Sequence, residues 1–254
     1  MENLLLEIVQ CPNFKDGAVV GNPCYEILSC QTNNRQVPEP WNSNIETAEI
    51  LFLSSNPSIG INEKYPYFDD EKKSLSNVWD DKSVMSFFTN RFSKEYPYVK
   101  NHLYPQSAND AYMTGWVRFW AAVRSMASII LERPAIPSDD YAIAEIVRCK
   151  SHAEKGVEAA TNECISRYLN RTIELSAAKI IICLGKKVKL EIKNRYNCII
   201  TSERSENNEN EIWEMQFNNR KLMLLFLPHP NAREERNISK LFGDKLNLIK
   251  NALQ

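Results

Sequence analysis

The run Ile50 to Gly60, ILFLSSNPSIG, constrains the fold of this chain more than any other stretch. Ile50, Leu51, Phe52 and Leu53 are uninterrupted apolar residues, which reads as a strand buried on both faces. The run breaks at once into Ser54-Ser55-Asn56-Pro57-Ser58, small polar residues and a proline that make a loop. In an open α/β sheet, loops at the carboxyl ends of parallel strands form the crevice where ligands bind. Pro57 fixes the backbone after Asn56, so the Asn amide is presented to that crevice. An Asx turn closing the strand is the plainer reading of the same residues.

Leu222 to Arg233, LMLLFLPHPNAR, has the same build. An apolar run ends in Pro228-His229-Pro230-Asn231, and the two prolines fix the backbone on both sides of the histidine. A lone His is usually structural; one held between prolines at the end of a buried strand is a stronger site candidate.

Further strands are predicted at 141–147, 179–184 and 198–201, and residues 211–217 and 221–227 pair across the turn Asn218-Asn219. Helices are predicted at 83–92, 112–133, 154–175, 186–195 and 234–253. The stripe Trp116, Phe119, Trp120, Val123, Met126, Ala127, Ile130 assigns the second of these helices to the core. Strands alternating with helices imply an α/β fold with a parallel sheet covered on both faces. Residues 1–45 carry few periodic signals and read as an irregular segment, as do residues 61–82. SERSENNENE, 202–211, reads as a flexible loop.

A length of 254 residues suits a single α/β domain spanning 1–254, and 43% hydrophobic residues suffice for its core. No apolar run reaches the roughly 18 residues of a membrane span. MENLLLEIVQ lacks the basic start of a signal peptide, so a cytoplasmic monomer is expected. A net charge of -1 does not advertise nucleic-acid binding. The local cluster Lys186, Lys187, Lys189, Lys193, Arg195 suits phosphate contact or an ordinary solvated helix face. Seven cysteines in such a compartment argue against a disulfide framework. Cys183 and Cys198 fall in or beside apolar strands and read as core.

Taken together, SSNPSIG and LPHPNAR resemble the two catalytic motifs of the uracil-DNA glycosylase superfamily. The first has the Asn-Pro form of its mismatch-specific and single-strand-selective branches. In the second, Asn231 stands where the family usually has Ser. Between them, VRCKSHAEKGVEAATNECISRYL followed by KIIICLG resembles the iron–sulfur branch. The likeness covers roughly residues 45–235 in the family's order. It implies a three-layer α/β/α fold with a central, mainly parallel four-stranded sheet, and DNA as the partner.

It also implies roles. His229 is neutral and donates to a carbonyl of the departing base. Asn56 orients the attacking water but cannot take its proton, unlike an Asp or Glu, so Ser55, Ser58 or Glu63 is a candidate helper. The flipped base needs an aromatic face; Phe68, twelve residues after Asn56, is the expected one, with Tyr65 and Tyr67 as competitors or all three as loop packing. Asn231 and Arg233 fall where the family inserts a loop into DNA. A 4Fe–4S cluster is expected on Cys24, Cys30, Cys149 and Cys164, with Cys11 in reserve. The family's early CxxC pair is missing, and scattered core cysteines are the alternative. Pinning of residues 1–45 by that cluster is expected in turn.

Glu145 stands four residues before Cys149, where the iron–sulfur branch has an Asn that reads uracil's edge. An ionised carboxylate only accepts hydrogen bonds, so it repels uracil O4 and accepts from cytosine N4. Pairing of Glu145 with Arg148 or His152 is the alternative. The expected activity is a monofunctional DNA glycosylase for a modified cytosine, of the kind phages carry, serving defence. A uracil-DNA glycosylase of base-excision repair, a non-catalytic sensor of modified bases, and an enzyme on free nucleosides are the other readings.

Overall fold

The computed structural model describes residues 2–31, 34–60, 62–94, 98–106, 108–202 and 210–253. Helices α1 (Glu2–Val9), α2 (Pro12–Lys15) and α3 (Tyr25–Leu28) lead into strands β1 (Asn34–Gln36) and β2 (Ile50–Ser54). Strands β3 (Tyr67–Asp69) and β4 (Ser74–Leu75) come before helices α4 (Asp81–Asn90) and α5 (Arg118–Leu131). After β5 (Tyr141–Glu145), one long helix is assembled from α6 (Val157–Cys164), a π-helical turn (Ile165–Leu169) and α7 (Asn170–Leu175). Then follow β6 (Ile180–Leu184), α8 (Lys186–Arg195), β7 (Cys198–Ser202), β8 (Ile212–Phe217), β9 (Arg220–Leu227), α9 (Ile238–Phe242) and α10 (Leu246–Asn251). Most of the 202–211 tract lies outside the described residues.

The central sheet runs β5-β2-β6-β9-β8-β7. Its first four strands are parallel and the last two antiparallel. The expected count of four is therefore corrected to six. The β8–β9 hairpin, turned at Asn218 (φ 51°), adds one strand beside the parallel set, and β7 pairs with its outer edge.

Alternation along the strands splits the core in two. Leu51, Leu53, Ala142, Ala144, Ile181 and Cys183 face a cluster shared with α1, α3, α4, α6 and α8. Ile50, Phe52, Tyr141, Ile143, Ile180 and Ile182 face the other, built with α5, α9 and α10. All five residues of β2, β5 and β6 are buried, and each large apolar side chain so placed contributes roughly 1.5–3 kcal/mol. This is the three-layer α/β/α arrangement, with the sheet as its middle layer.

Three expectations change. The N-terminal segment carries the short helices α1, α2 and α3 between irregular stretches, and Leu4, Leu5, Ile8, Val9, Phe14, Ile27 and Leu28 are all buried in the first cluster. The stretch 61–82 is not all loop, since β3 pairs with both β1 and β4 in a small antiparallel sheet. Helix α5 begins at Arg118 rather than 112, and Trp116 stands 64% exposed outside the stripe.

The N-terminal segment docks on the start of α6. Gly156 caps that helix in the left-handed conformation (φ 76°), and a Cβ there would lie 2.7 Å from the backbone nitrogen of Ile27. Gly156→Ala therefore forces α3 away from α6. A loss of about 1–3 kcal/mol is expected, read as a lower urea midpoint, and an unchanged midpoint contradicts this docking.

Candidate functional site

Strands β2, β5, β6 and β9 run parallel, so their carboxyl ends share one edge of the sheet. Three of them deliver site residues: Asn56 just beyond β2, Glu145 as the last residue of β5, and His229 just beyond β9. Register places Ser54 beside Glu145. Asn56, Glu145 and His229 line one cavity of about 220 Å³, together with Ser58, Glu63, Lys150 and Asn231. The two apolar-run-to-loop motifs and the intervening carboxylate meet in this cavity.

Asn56 is clamped by its amide nitrogen, which donates to Ser151 Oγ at 2.7 Å and to the Pro57 carbonyl at 3.0 Å. This network assigns Oδ1 as the acceptor left for a ligand or water. Ser151 is itself fully buried and held by backbone pairing with the motif loop: its N–H donates to Pro57 O, and its carbonyl accepts from Ile59 N–H. Nothing in the spacing of CKS marked Ser151 in advance.

His229 Nδ1 accepts from the Asn231 backbone N–H at 3.2 Å, which leaves the proton on Nε2. Burial lowers the imidazole's pKa, with Glu154 opposing, so the ring is neutral near pH 7. Its face stacks on Phe119, centroids 5.6 Å apart and planes inclined by 23°. Gly185, with φ 96°, lets β6 turn into α8 beside the histidine; its N–H bonds Leu227 O at 2.8 Å.

Beneath the cavity lies a chain of buried charges. Arg91, at the end of α4, donates to Glu39 Oε2 and Asn42 Oδ1 at 3.0 and 2.8 Å, and to Glu63 Oε1. Lys150 donates to Glu63 Oε2 at 2.9 Å and sits 3.8 Å from the centre of the Tyr65 ring. Tyr65 Oη donates to Glu39 at 3.1 Å. Burial acts against the charge on Glu39, but Arg91 and Lys150 outweigh it and its pKa falls.

Glu145 is fully buried beside this chain, and its Oε2 has no hydrogen-bond partner among the described residues. Burial, then the Glu39 charge, pushes its pKa up to about 8. At neutral pH it is chiefly the acid, a donor as well as an acceptor. Neither expected partner holds it: Arg148 donates to Pro40 O and Thr172 Oγ1, and His152 is exposed.

The aromatic face of the cavity comes from elsewhere than expected. Tyr104, Phe119 and Trp120 line it. Phe68 is instead packed on Phe14 and Arg35, away from the cavity, and Tyr67 is half-buried in β3. Tyr65 lies under the cavity through Lys150, and Ser55 is buried behind the Ser54 wall with its hydroxyl unpartnered among the described residues. The aromatic stripe read as core thus has one edge in the site.

Among the surface candidates, Asn231 reaches the cavity mouth and Arg233 is exposed. Lys186 is almost fully exposed, 3.6 Å from Glu234 of the histidine loop. Lys187 is engaged with Glu158 at 2.7 Å.

On the far side of β5, Cys11, Cys24, Cys149 and Cys164 are buried together. The Cys149 and Cys24 thiols lie close enough to perturb one another, which raises the first and lowers the second. Cys149 feels Cys24, Cys164 and Cys11, and Cys164 feels Cys24 and Cys11. Cys30 stands apart, half-buried, its thiol donating to Glu26 O at 3.3 Å. The structure therefore brings Cys11, rather than Cys30, to the expected trio. Among the described residues no three His, Cys, Asp or Glu converge closely enough to chelate one ion. A cubane spreads its thiolates wider than a single ion does, and an all-cysteine set of four in a water-excluded site suits one.

Among the described residues no helix is long and apolar enough to cross a membrane. A comparison with curated proteins found none that matches. The family model of the uracil DNA glycosylase superfamily matches residues 40–251, from the segment before β2 to the last turn of α10. With its three-layer α/β/α sheet and with Asn56 and His229 meeting at one edge of it, the chain belongs to the uracil-DNA glycosylase superfamily, a family of DNA glycosylases.

Proposed function

We propose that the protein is a monofunctional DNA glycosylase that flips a modified cytosine into this cavity and hydrolyses its N-glycosidic bond. The observation that carries the reading is the meeting of Asn56 Oδ1, His229 Nε2–H and the unpartnered Glu145 carboxyl in one cavity. As the bond breaks, negative charge grows on the base and positive charge on the sugar. His229 donates to the base carbonyl and Asn56 orients water toward the anomeric carbon. Phe119, Tyr104 and Trp120 supply the aromatic wall against which an extruded base packs. The lysine in the cavity, Lys150, has its ammonium engaged by Glu63 and Tyr65, which argues against Schiff-base chemistry. An enzyme releasing ordinary cytosine would attack its own genome, so a ring substituent is the expected mark, and phage DNA the source, with defence as the role.

A protonated Glu145 also complements uracil, its hydroxyl donating to O4 and its carbonyl accepting from N3–H. That keeps uracil release in base-excision repair as the second reading. Both are tested by an abasic-site assay on duplexes with uracil, unmodified cytosine, 5-hydroxymethylcytosine or its glucosylated form. Release from a modified-cytosine duplex alone supports the proposal; release from uracil alone overturns its substrate. Asn56→Ala and His229→Ala are each expected to lose about 100-fold or more of the rate. Full activity in both variants would remove the site from this cavity.

The buried cysteines support a 4Fe–4S cluster on Cys11, Cys24, Cys149 and Cys164, which would tie α2 and α3 to β5 and α6. Anaerobically purified protein is expected to contain about four irons per chain. Cys11→Ser should lose most of that iron and Cys30→Ser keep it. Iron-free wild type, or the opposite pattern in the two variants, contradicts the assignment.

A further inference from the structure

We propose that Glu145 is the general acid of base release, passing its proton to ring N3 of a cytosine-type base as the glycosidic bond breaks. The inference rests on the cytosine-type reading above and adds a catalytic role to a residue otherwise placed as a reader of the base edge.

The geometry singles Glu145 out. Glu39 and Glu63 also line the cavity, but both are tied to Arg91, and Glu63 to Lys150 as well. Tyr104 holds its proton more tightly than an ordinary phenol because of burial, then Glu63. Neutral His229 has an N–H to share but no imidazolium proton to give. Of the cavity's acids, Glu145 alone presents a buried oxygen without a partner among the described residues.

The chemistry supplies the need. Uracil leaves as an anion spread over two carbonyls. Cytosine has one carbonyl and an electron-donating amine, so its anion is a poorer leaving group. Its N3, however, carries a lone pair where uracil already has a proton. A carboxylic acid in the plane of that edge donates O–H to N3 and accepts N4–H, which fits both of its oxygens.

The step balances. The C1′–N1 bond breaks and its electron pair enters the ring, while the Glu145 proton moves to N3. The base leaves neutral and Glu145 becomes a carboxylate. Water adds to C1′, its second proton is lost to solvent, and Glu145 is reprotonated from solvent as the base departs.

The surrounding charges suit this cycle. Glu39 and burial favour the acid before reaction, whereas Arg148, Arg91 and Lys150 favour the carboxylate after it. Glu63, Tyr104 and His229 are the other ionisable residues that line the cavity among the described residues.

The test uses the modified-cytosine duplex that wild type processes, with kcat and KM measured under saturating conditions across pH. Wild-type kcat should fall as pH rises through about 8, the range in which Glu145 loses its proton. Glu145→Gln keeps the shape and one donor and one acceptor, but has no proton to transfer. It should keep KM within about threefold, lose kcat by roughly 10²–10⁴-fold at pH 7, and lose the alkaline limb. Unaltered thermal melting of Glu145→Gln confirms that it folds. A variant with wild-type kcat, or one that retains the alkaline limb, overturns the proposal, as does a loss confined to KM. Wild type that releases no cytosine-type base overturns the substrate reading itself, and this role with it.

Discussion

A chain of buried ion pairs, Glu39–Arg91–Glu63–Lys150, sets the character of the site. It joins four separate segments: the approach to β2, the end of α4, the loop after the Asn56 motif, and the loop after β5. Its two carboxylates and two cations balance one another. Removing one member leaves an uncompensated buried charge, a cost of about 3–5 kcal/mol. A fifth ionisable group is buried beside them, opposed by the Glu39 charge and only partly offset by the Arg148 guanidinium. Glu145 is that group, and it holds its proton to about pH 8. The same balance keeps Lys150 occupied, although it lies in the cavity wall.

The parallel strands convert this electrostatic arrangement into a working geometry. Pairing of Ser54 with Glu145 across β2 and β5 puts the carboxyl next to the Asn56 loop, while β9 brings His229 to the same edge. Ser151 then locks the Asn56 amide from the loop after β5. Because Glu145, Lys150, Ser151 and Cys149 all follow from one strand end, the cavity and the buried cysteines share a backbone segment.

Much of this was legible in the chain. Ile50–Leu53, Ile180–Leu184 and Leu222–Leu227 are apolar runs whose burial on both faces leaves few alternatives to central strands, and the polar breaks after them mark the ligand-binding edge. Asn56 and His229 were singled out at those breaks, whereas Glu145 was named from the resemblance to the iron–sulfur branch. What escaped depends on contacts between residues far apart. Nothing local distinguishes Phe119 from its neighbours in the α5 stripe, yet its start at the mouth of the cavity puts it against His229. Phe68 has suitable spacing but is drawn into the N-terminal core by Phe14 and Arg35. Beyond the apolar start that forms α1, residues 1–45 show little periodicity because α2 and α3 have only four residues each, and their side chains are buried against other elements of the first cluster. The raised pKa of Glu145 was invisible, since it follows from its burial and then from the Glu39 charge on another segment.

Hydrolytic release of an intact base is the central step proposed for this protein. Its most direct test is mass spectrometry of both products after a single turnover on a duplex bearing one modified cytosine, with borohydride present. The expected result is the free modified base, an unbroken strand with one abasic site, and protein of unchanged mass. Absence of free base, or a borohydride-trapped lysine adduct on the DNA, would contradict the account.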